Sequence, residues 1–152
     1  MTLKLSTETL YNDTIYTSRD LNRSTAKVLD KALEEPVTIT RNNDSFALLR
    51  REKMGDMSKK ILYTRVVACL YEAICKVNMQ QVLDPGNPYK WVDKFDQEEH
   101  LDFLNELSNA MKHGENTGDW EELRCVILEW EESAIAITSD DLDDFKAALG
   151  NS

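Results

Sequence analysis

The stretch from Leu21 to Leu49 constrains the fold more than any other part of the sequence. Apolar or small residues recur there at helical spacing, at Leu21, Thr25, Val28, Leu29, Ala32 and Leu33. This stripe is typical of an amphipathic helix with one buried face. Pro36 ends the helix, because the residue before a proline avoids helical dihedral angles. Thr17 or Ser18 is expected to cap its start, with Asp20 in the first turn.

Short strands are predicted on both sides of this helix. Ile15-Tyr16-Thr17 precedes it, and the β-branched run Val37-Thr38-Ile39-Thr40 follows it. A polar turn, Arg41-Asn42-Asn43-Asp44-Ser45, then leads into Phe46-Ala47-Leu48-Leu49. Asn and Asp tolerate left-handed dihedral angles, so the last two strands are expected to form a hairpin. Leu3 and Leu5, which alternate with polar residues, give only a weak pattern ahead of this module.

The rest of the chain reads as helical. A long helix is predicted over residues 56–82, and its middle, Val66 to Ile74, is apolar nearly all round and should be covered on more than one side. A second helix is expected over 97–112 with Gly114 as its C-cap, a third from near 119, and a last short one capped by Ser139. The predicted fold class is therefore α+β. A strand-helix-strand-strand dimerisation module at 1–55 precedes a mainly α-helical region at 56–152.

Charge is divided unevenly between these two parts. The whole chain carries a net charge of −10. Residues 1–62 hold 11 Lys and Arg against 9 Asp and Glu, whereas residues 63–152 hold 7 against 19. This asymmetry indicates two partners of opposite charge.

Composition narrows the class of protein. No apolar run approaches the ~18 residues of a membrane span, and no signal peptide is evident, so we expect a cytoplasmic protein without a membrane partner. Cys69, Cys75 and Cys125 form no CxxC pair and have apolar neighbours. They are expected to be reduced core thiols.

A basic ridge lies on the helix that begins near Arg19. Arg19, Arg23 and Lys27 fall within about 80° of one another on a helical projection, opposite the apolar stripe. Arg41, Arg50 and Arg51 bracket the hairpin. Such a surface can neutralise DNA phosphates, and Arg can also contact guanine edges. An ordinary solvated helix face is the alternative interpretation of the same charges.

Two segments resemble the prevent-host-death (Phd/YefM) antitoxin family. They are Tyr16-Thr17-Ser18-Arg19-Asp20-Leu21-Asn22-Arg23-Ser24-Thr25-Ala26-Lys27-Val28-Leu29 and Pro36-Val37-Thr38-Ile39-Thr40-Arg41-Asn42-Asn43-Asp44-Ser45-Phe46-Ala47-Leu48-Leu49. The family pattern is an S-R-[DE]-L-N helix start, a V-L in the helix, a V-x-I-T-R strand, a polar turn and an A-x-L strand. The resemblance covers residues 14–54 in register. The chain departs from the pattern in its roughly twelve preceding residues, its glycine-free turn and its longer helical C-terminal region.

The resemblance implies a function in two parts. Family members form symmetric dimers that bind palindromic operator DNA and repress their own operon, while the C-terminal segment neutralises a cognate toxin. The DNA-contacting positions of the family correspond here to Asn22, Arg23 and Arg41. Arg19 is a plausible addition, and Lys27 continues the ridge.

The end of the chain is similar to the toxin-binding tails of some family members. The residues concerned are Leu128-Glu129-Trp130-Glu131-Glu132-Ser133-Ala134, then Ser139-Asp140-Asp141-Leu142 and Phe145. An acidic amphipathic helix that exposes apolar side chains could lie in the groove of a basic toxin. The predicted toxin-binding residues are Trp130, Ile137, Leu142, Phe145 and Leu149. Packing within the helical region itself is the alternative role for these side chains.

Two other functions compete with the antitoxin. The first is a stand-alone dimeric transcriptional regulator without a toxin partner. The second is a Mg²⁺-dependent, all-helical nucleotide hydrolase, because Glu99 with Asp102 and Glu129 with Glu132 place carboxylates one helical turn apart. His100 and His113 have polar neighbours and no second ligand at zinc spacing. We therefore expect no enzyme activity, catalytic residue, metal or cofactor.

Overall fold

A computed structural model of the chain describes residues 14–150, which divide into two compact units. The boundary between the units falls at Met57 and Ser58. The fold class is α+β, with a three-stranded mixed sheet near the N-terminus and a mostly helical C-terminal region. No helix of the described residues is long and apolar enough to cross a membrane. The predicted pattern at Leu3 and Leu5 lies outside the described residues.

The strands of the first unit follow the predicted order, but two helices stand where one is predicted. Its elements are β1 (Ile15–Thr17), α1 (Ser18–Arg23), α2 (Thr25–Glu34), β2 (Val37–Arg41) and β3 (Asp44–Leu48). β2 is the central strand, parallel to β1 and antiparallel to β3. The predicted hairpin is confirmed, and its two-residue turn holds Asn42 at φ 53°, the left-handed region that Asn tolerates.

The prediction of a single helix between Arg19 and Pro36 is wrong, because the chain forms two helices with a break at Ser24. Thr17 caps α1 and Asp20 returns the hydrogen bond, as a capping box. At the break Ser24 has φ −136° and ψ 49°, and the Thr25 hydroxyl donates to the Leu21 carbonyl oxygen at 2.6 Å. Ser and Thr side chains compete with the backbone for such acceptors, which disfavours an uninterrupted helix.

The core of the first unit is smaller than the helical stripe predicts. Val28 and Ala32 are buried against Val37 and Ile39, with Tyr16, Leu21 and Leu48 partly buried around them. Leu29 and Leu33, which belong to the same stripe, remain exposed. The described residues of one unit therefore cover only the centre of this apolar helix face.

Residues 51–150 of the helical region contain three long helices and one short 3-10 helix. They are α3 (Arg51–Asn78), a 3-10 helix (Lys90–Lys94), α4 (Gln97–Thr117) and α5 (Glu121–Gly150). The predicted helix over 56–82 thus begins and ends earlier than expected. The two helices predicted after residue 119 are one, and Ser139 does not cap a helix: its hydroxyl donates to the Ile135 carbonyl oxygen within α5.

The role predicted for Gly114 is also wrong. α4 continues past it, and Gly118, at φ 76°, is the C-cap. Gly114 is buried inside α4, where a Cβ atom would collide with the indole ring of Trp120. The glycine therefore allows close contact of Trp120 with α4, which is a packing requirement that helical spacing does not reveal.

The core of the second unit is rich in aromatic side chains. Trp91, Phe95, Phe103 and Trp130 form successive ring contacts with centroids 4.9–6.5 Å apart. His100 is buried too, contrary to its predicted polar setting, and its Nε2 lies 2.7 Å from the Val92 carbonyl oxygen. Cys69 and Cys125 are half-buried, whereas Cys75 is exposed and is not the core thiol that we predict from its neighbours.

Candidate nucleic-acid and partner interfaces

The residues predicted to contact DNA lie on three elements of the first unit. Arg19, Asn22 and Arg23 are on α1, Lys27 is on α2, and Arg41 ends β2. All five side chains are exposed. Among residues 14–150, none of the four cations forms an ion pair. Their charges are therefore available to an external anion.

Arg41 emerges on the helix-covered side of the sheet. Alternate residues of a strand point to the same face, so Arg41 shares a face with Val37 and Ile39. Those two residues pack against Val28 and Ala32 of α2. The face of the sheet that carries α2 is therefore also the face from which Arg41 projects.

The helix break alters the predicted ridge. Arg19 and Arg23 share α1, but Lys27 belongs to α2 beyond Ser24. The 100° per residue projection that aligned all three assumes one straight helix, so it does not hold across the break. Arg50, expected beside the hairpin, forms an ion pair with Glu52 at 2.7 Å.

A carboxylate sits between the two arginines of α1. Hydrogen bonds from the hydroxyl and amide of Thr17 hold the pKa of Asp20 below its usual range, and nearby Arg23 and Arg19 lower the pKa further. Asp20 thus remains ionised at neutral pH. It orients the start of α1 and offsets part of the positive potential there.

Among the described residues of the first unit, no helix packs on the other face of the sheet. Ile15, Thr38 and Ala47 occupy adjacent positions on that face across the three strands. Ile15 is 61% exposed, Ala47 is exposed and Thr38 is half-buried. Together with Leu29 and Leu33 of α2, this face leaves considerable apolar surface in water.

The predicted toxin-binding residues separate into two groups on α5. Leu142, Phe145 and Leu149 are each more than half exposed, and every residue from 138 to 149 is exposed. We call residues 138–149 the α5 tail. It contains four Asp and one Lys, so its apolar residues are set among negative charges.

Trp130 and Ile137 belong to the second group and are less exposed than the sequence predicts. Both are half-buried. The Trp130 ring packs on Phe95 and Phe103, and its indole Nε1 donates to Glu106 at 2.9 Å. Trp130 is therefore held by the core of its own unit.

Ile135 is an exposed apolar residue that the sequence interpretation missed. It is 59% exposed, and it precedes Leu142 and Leu149 by seven and fourteen residues. Residues at this spacing lie along one side of a helix. The seven-residue recurrence could have identified the continuous stripe of Ile135, Leu142, Phe145 and Leu149.

The carboxylates proposed for a hydrolase do not assemble a metal site. Among residues 14–150 there is no group of three or more His, Cys, Asp or Glu side chains that could hold a metal ion. Glu99 instead closes the capping box of α4, accepting from the Asp96 amide at 2.9 Å. Its position is explained by the helix that it caps.

The chain matches no protein-family model, no curated protein and no solved structure. The family resemblance of residues 14–54 therefore rests on their motif alone.

Proposed function

We propose that this chain is the antitoxin of a type II toxin–antitoxin pair. In this proposal a dimer of the first unit binds operator DNA and represses its own operon, and the α5 tail binds and neutralises a cognate toxin. The observation that carries the proposal is that Arg19, Arg23, Lys27 and Arg41 of a strongly acidic chain are exposed and form no ion pair with any described residue. Their order along the sequence is that of the Phd/YefM pattern.

The DNA-binding part rests on charge and geometry. Arg19, Arg23, Lys27 and Arg41 can each neutralise a phosphate, which supplies affinity that does not depend on sequence. Asn22 lies among them and can donate and accept hydrogen bonds at an adenine edge. Sequence preference would then come from Asn22 and the arginines.

The dimer part rests on uncovered apolar surface in the first unit. Ile15 is 61% exposed and Leu33 is 60% exposed, while the buried core cluster formed by residues 14–57 comprises four residues. Large exposed apolar patches on soluble proteins commonly mark interaction sites. A second copy would bury these side chains and bring two sets of cations to one duplex.

The toxin part rests on the α5 tail. Its helix extends past the last core residue, Ala134, and exposes an apolar stripe flanked by Asp140, Asp141 and Asp143. An amphipathic helix of this type binds by placing its apolar face in a groove. The acidic flanks favour a basic groove, such as the surface with which a nuclease would bind RNA.

Co-expression with the product of the adjacent open reading frame tests the toxin part. The variant Leu142→Ala with Phe145→Ala is expected to lose capture of that protein and rescue from its toxicity. The control Leu101→Ala removes an equally exposed leucine from α4 and should leave both unchanged.

Capture that survives the double substitution would contradict the assignment of the α5 tail. If the adjacent product is neither captured nor toxic while operator binding persists, the chain is a stand-alone regulator and not an antitoxin.

A further inference from the structure

α3 carries apolar residues on two opposite faces. Val66, Leu70, Ala73, Ile74 and Val77 pack into the core of the second unit. Ile61, Thr64, Ala68, Tyr71 and Cys75 lie on the other side, within a sector of about 80° that is centred roughly opposite Leu70. We call these five residues the outer face of α3. The sequence predicts that this helix is covered on more than one side, but within the second unit residues 58–150 cover only one side.

The outer face has the spacing of a helix–helix interface. Its residues follow one another at alternating steps of three and four, which is the pattern of positions a and d in a coiled coil. Ile61 is 68% exposed and Tyr71 is 38% exposed, and the other three residues are exposed. This is a continuous seam that no described residue of the second unit covers.

We propose that a second copy of this chain covers the outer face, with the two α3 helices antiparallel. In the register that we propose, Ala68 of each copy pairs with Tyr71 of the other and Thr64 pairs with Cys75, while Ile61 lies opposite Asn78 at the end of the seam. The small Ala68 then faces the large Tyr71 in the two middle layers, as a well-filled core requires. A parallel pair would instead place Tyr71 against Tyr71 and leave a gap between the two Ala68 residues.

The charges beside the seam fit the same arrangement. Arg65 and Glu72 flank the seam on one side, seven residues apart. In the antiparallel register each Arg65 lies opposite the Glu72 of the other copy, which gives two reciprocal ion pairs. In a parallel pair, Lys60 would face Arg65 instead. Charge therefore favours the antiparallel orientation.

Both flanking residues are available for such pairs. Arg65 is exposed and forms no ion pair among residues 14–150. Glu72 is held by Lys76 at 2.6 Å, and this hydrogen bond keeps the pKa of the carboxyl low, so the group stays charged. A carboxylate can accept from Lys76 and from an arginine at the same time.

The interface is small, so the association should depend on concentration. Two helices in contact over about four turns bury less than the roughly 1,200 Å² of a standard stable interface. The inference uses no residue of the first unit and does not rest on the proposed function. If the first units also dimerise, the α3 contact adds a separate association step.

Charge reversal tests the contact in the full chain by sedimentation velocity. Arg65→Glu and Glu72→Arg should each weaken this association step about tenfold, because two attractive pairs become repulsive. The double variant Arg65→Glu with Glu72→Arg should restore the association. A fold defect would not be repaired in this way. Association that Arg65→Glu does not change would overturn the proposal.

Cysteine cross-linking tests the orientation. Thr64→Cys should form a disulfide between position 64 and the native Cys75 of another copy under mild oxidation, because the register places these two positions in one layer. Mass spectrometry of the cross-linked peptides identifies the pair. A prominent Cys75–Cys75 link in the unsubstituted protein would show a parallel pair and overturn the antiparallel model.

Discussion

Replacing Arg23 and Arg41 with alanine is expected to halve the salt dependence of DNA binding. Four exposed cations of the predicted DNA-binding surface, Arg19, Arg23, Lys27 and Arg41, form no ion pair among residues 14–150, and a dimer would present twice as many. Each phosphate contact releases about 0.9 counterions. A plot of the logarithm of the association constant against the logarithm of the salt concentration should therefore have a slope of about −7. The double variant keeps half of the charges, so its slope should be about −3.6.

The same count gives the loss of affinity. Between about 50 and 200 mM salt the unsubstituted protein should lose roughly 10⁴-fold in affinity, whereas the variant should lose only about 10²-fold from a much weaker starting point. Specific operator binding should therefore be abolished. Because both side chains are exposed, we expect the dimer to stay intact.

Fluorescence anisotropy with a duplex from upstream of the coding sequence measures both quantities over a salt series. Lys94→Ala with Lys112→Ala is the matched control, since it removes the same charge from exposed positions of the second unit. An unchanged slope and affinity in Arg23→Ala with Arg41→Ala would refute the assignment of the site. A loss of dimerisation would show that these arginines support the fold instead.

Three further predictions concern the fold. Gly114→Ala should lower the free energy of unfolding by about 1–3 kcal/mol, because the new methyl group would clash with Trp120. Gly55→Ala, in open space within α3, should raise the free energy of unfolding by roughly 0.5–1 kcal/mol. Thermal or urea unfolding would measure both changes. Asp20 has a lowered pKa, so its contribution to stability is present above the unfolded value and lost as pH falls through the folded value. The melting temperature of Asp20→Asn should therefore vary less with pH below about 4 than that of the unsubstituted protein. Thr17→Ala should destabilise the first unit by about 1 kcal/mol, because it removes the α1 cap.

The order of elements in the first unit follows from local signals in the sequence. β-branched residues, Pro36 and the asparagines of the turn each act over a few neighbours, so strand and turn positions are predictable. The break at Ser24 was not predicted, because the apolar stripe continues through it. Whether the Thr25 hydroxyl donates a hydrogen bond to the Leu21 carbonyl oxygen depends on how α1 and α2 pack against the sheet.

In the helical region, it was harder to predict which residues are buried than which residues are helical. An apolar residue at helical spacing can face its own core or a partner, and Trp130 and Leu142 have the same local pattern. Only the tertiary contacts with Phe95 and Phe103 distinguish Trp130. The continuity of α5 through Ser139 was missed for a related reason, since a serine can cap a helix or bond back within it.

The end of α5 should exchange its amide hydrogens much faster than the beginning. Unwinding residues 138–149 exposes no buried side chain, so that opening requires little more than the loss of local helical hydrogen bonds. Opening near Leu123 and Ala134 would uncover the core and approach the cost of global unfolding. Mass-spectrometric deuterium uptake should therefore rise abruptly after Ile137, and a bound partner should appear as new protection confined to the last three turns.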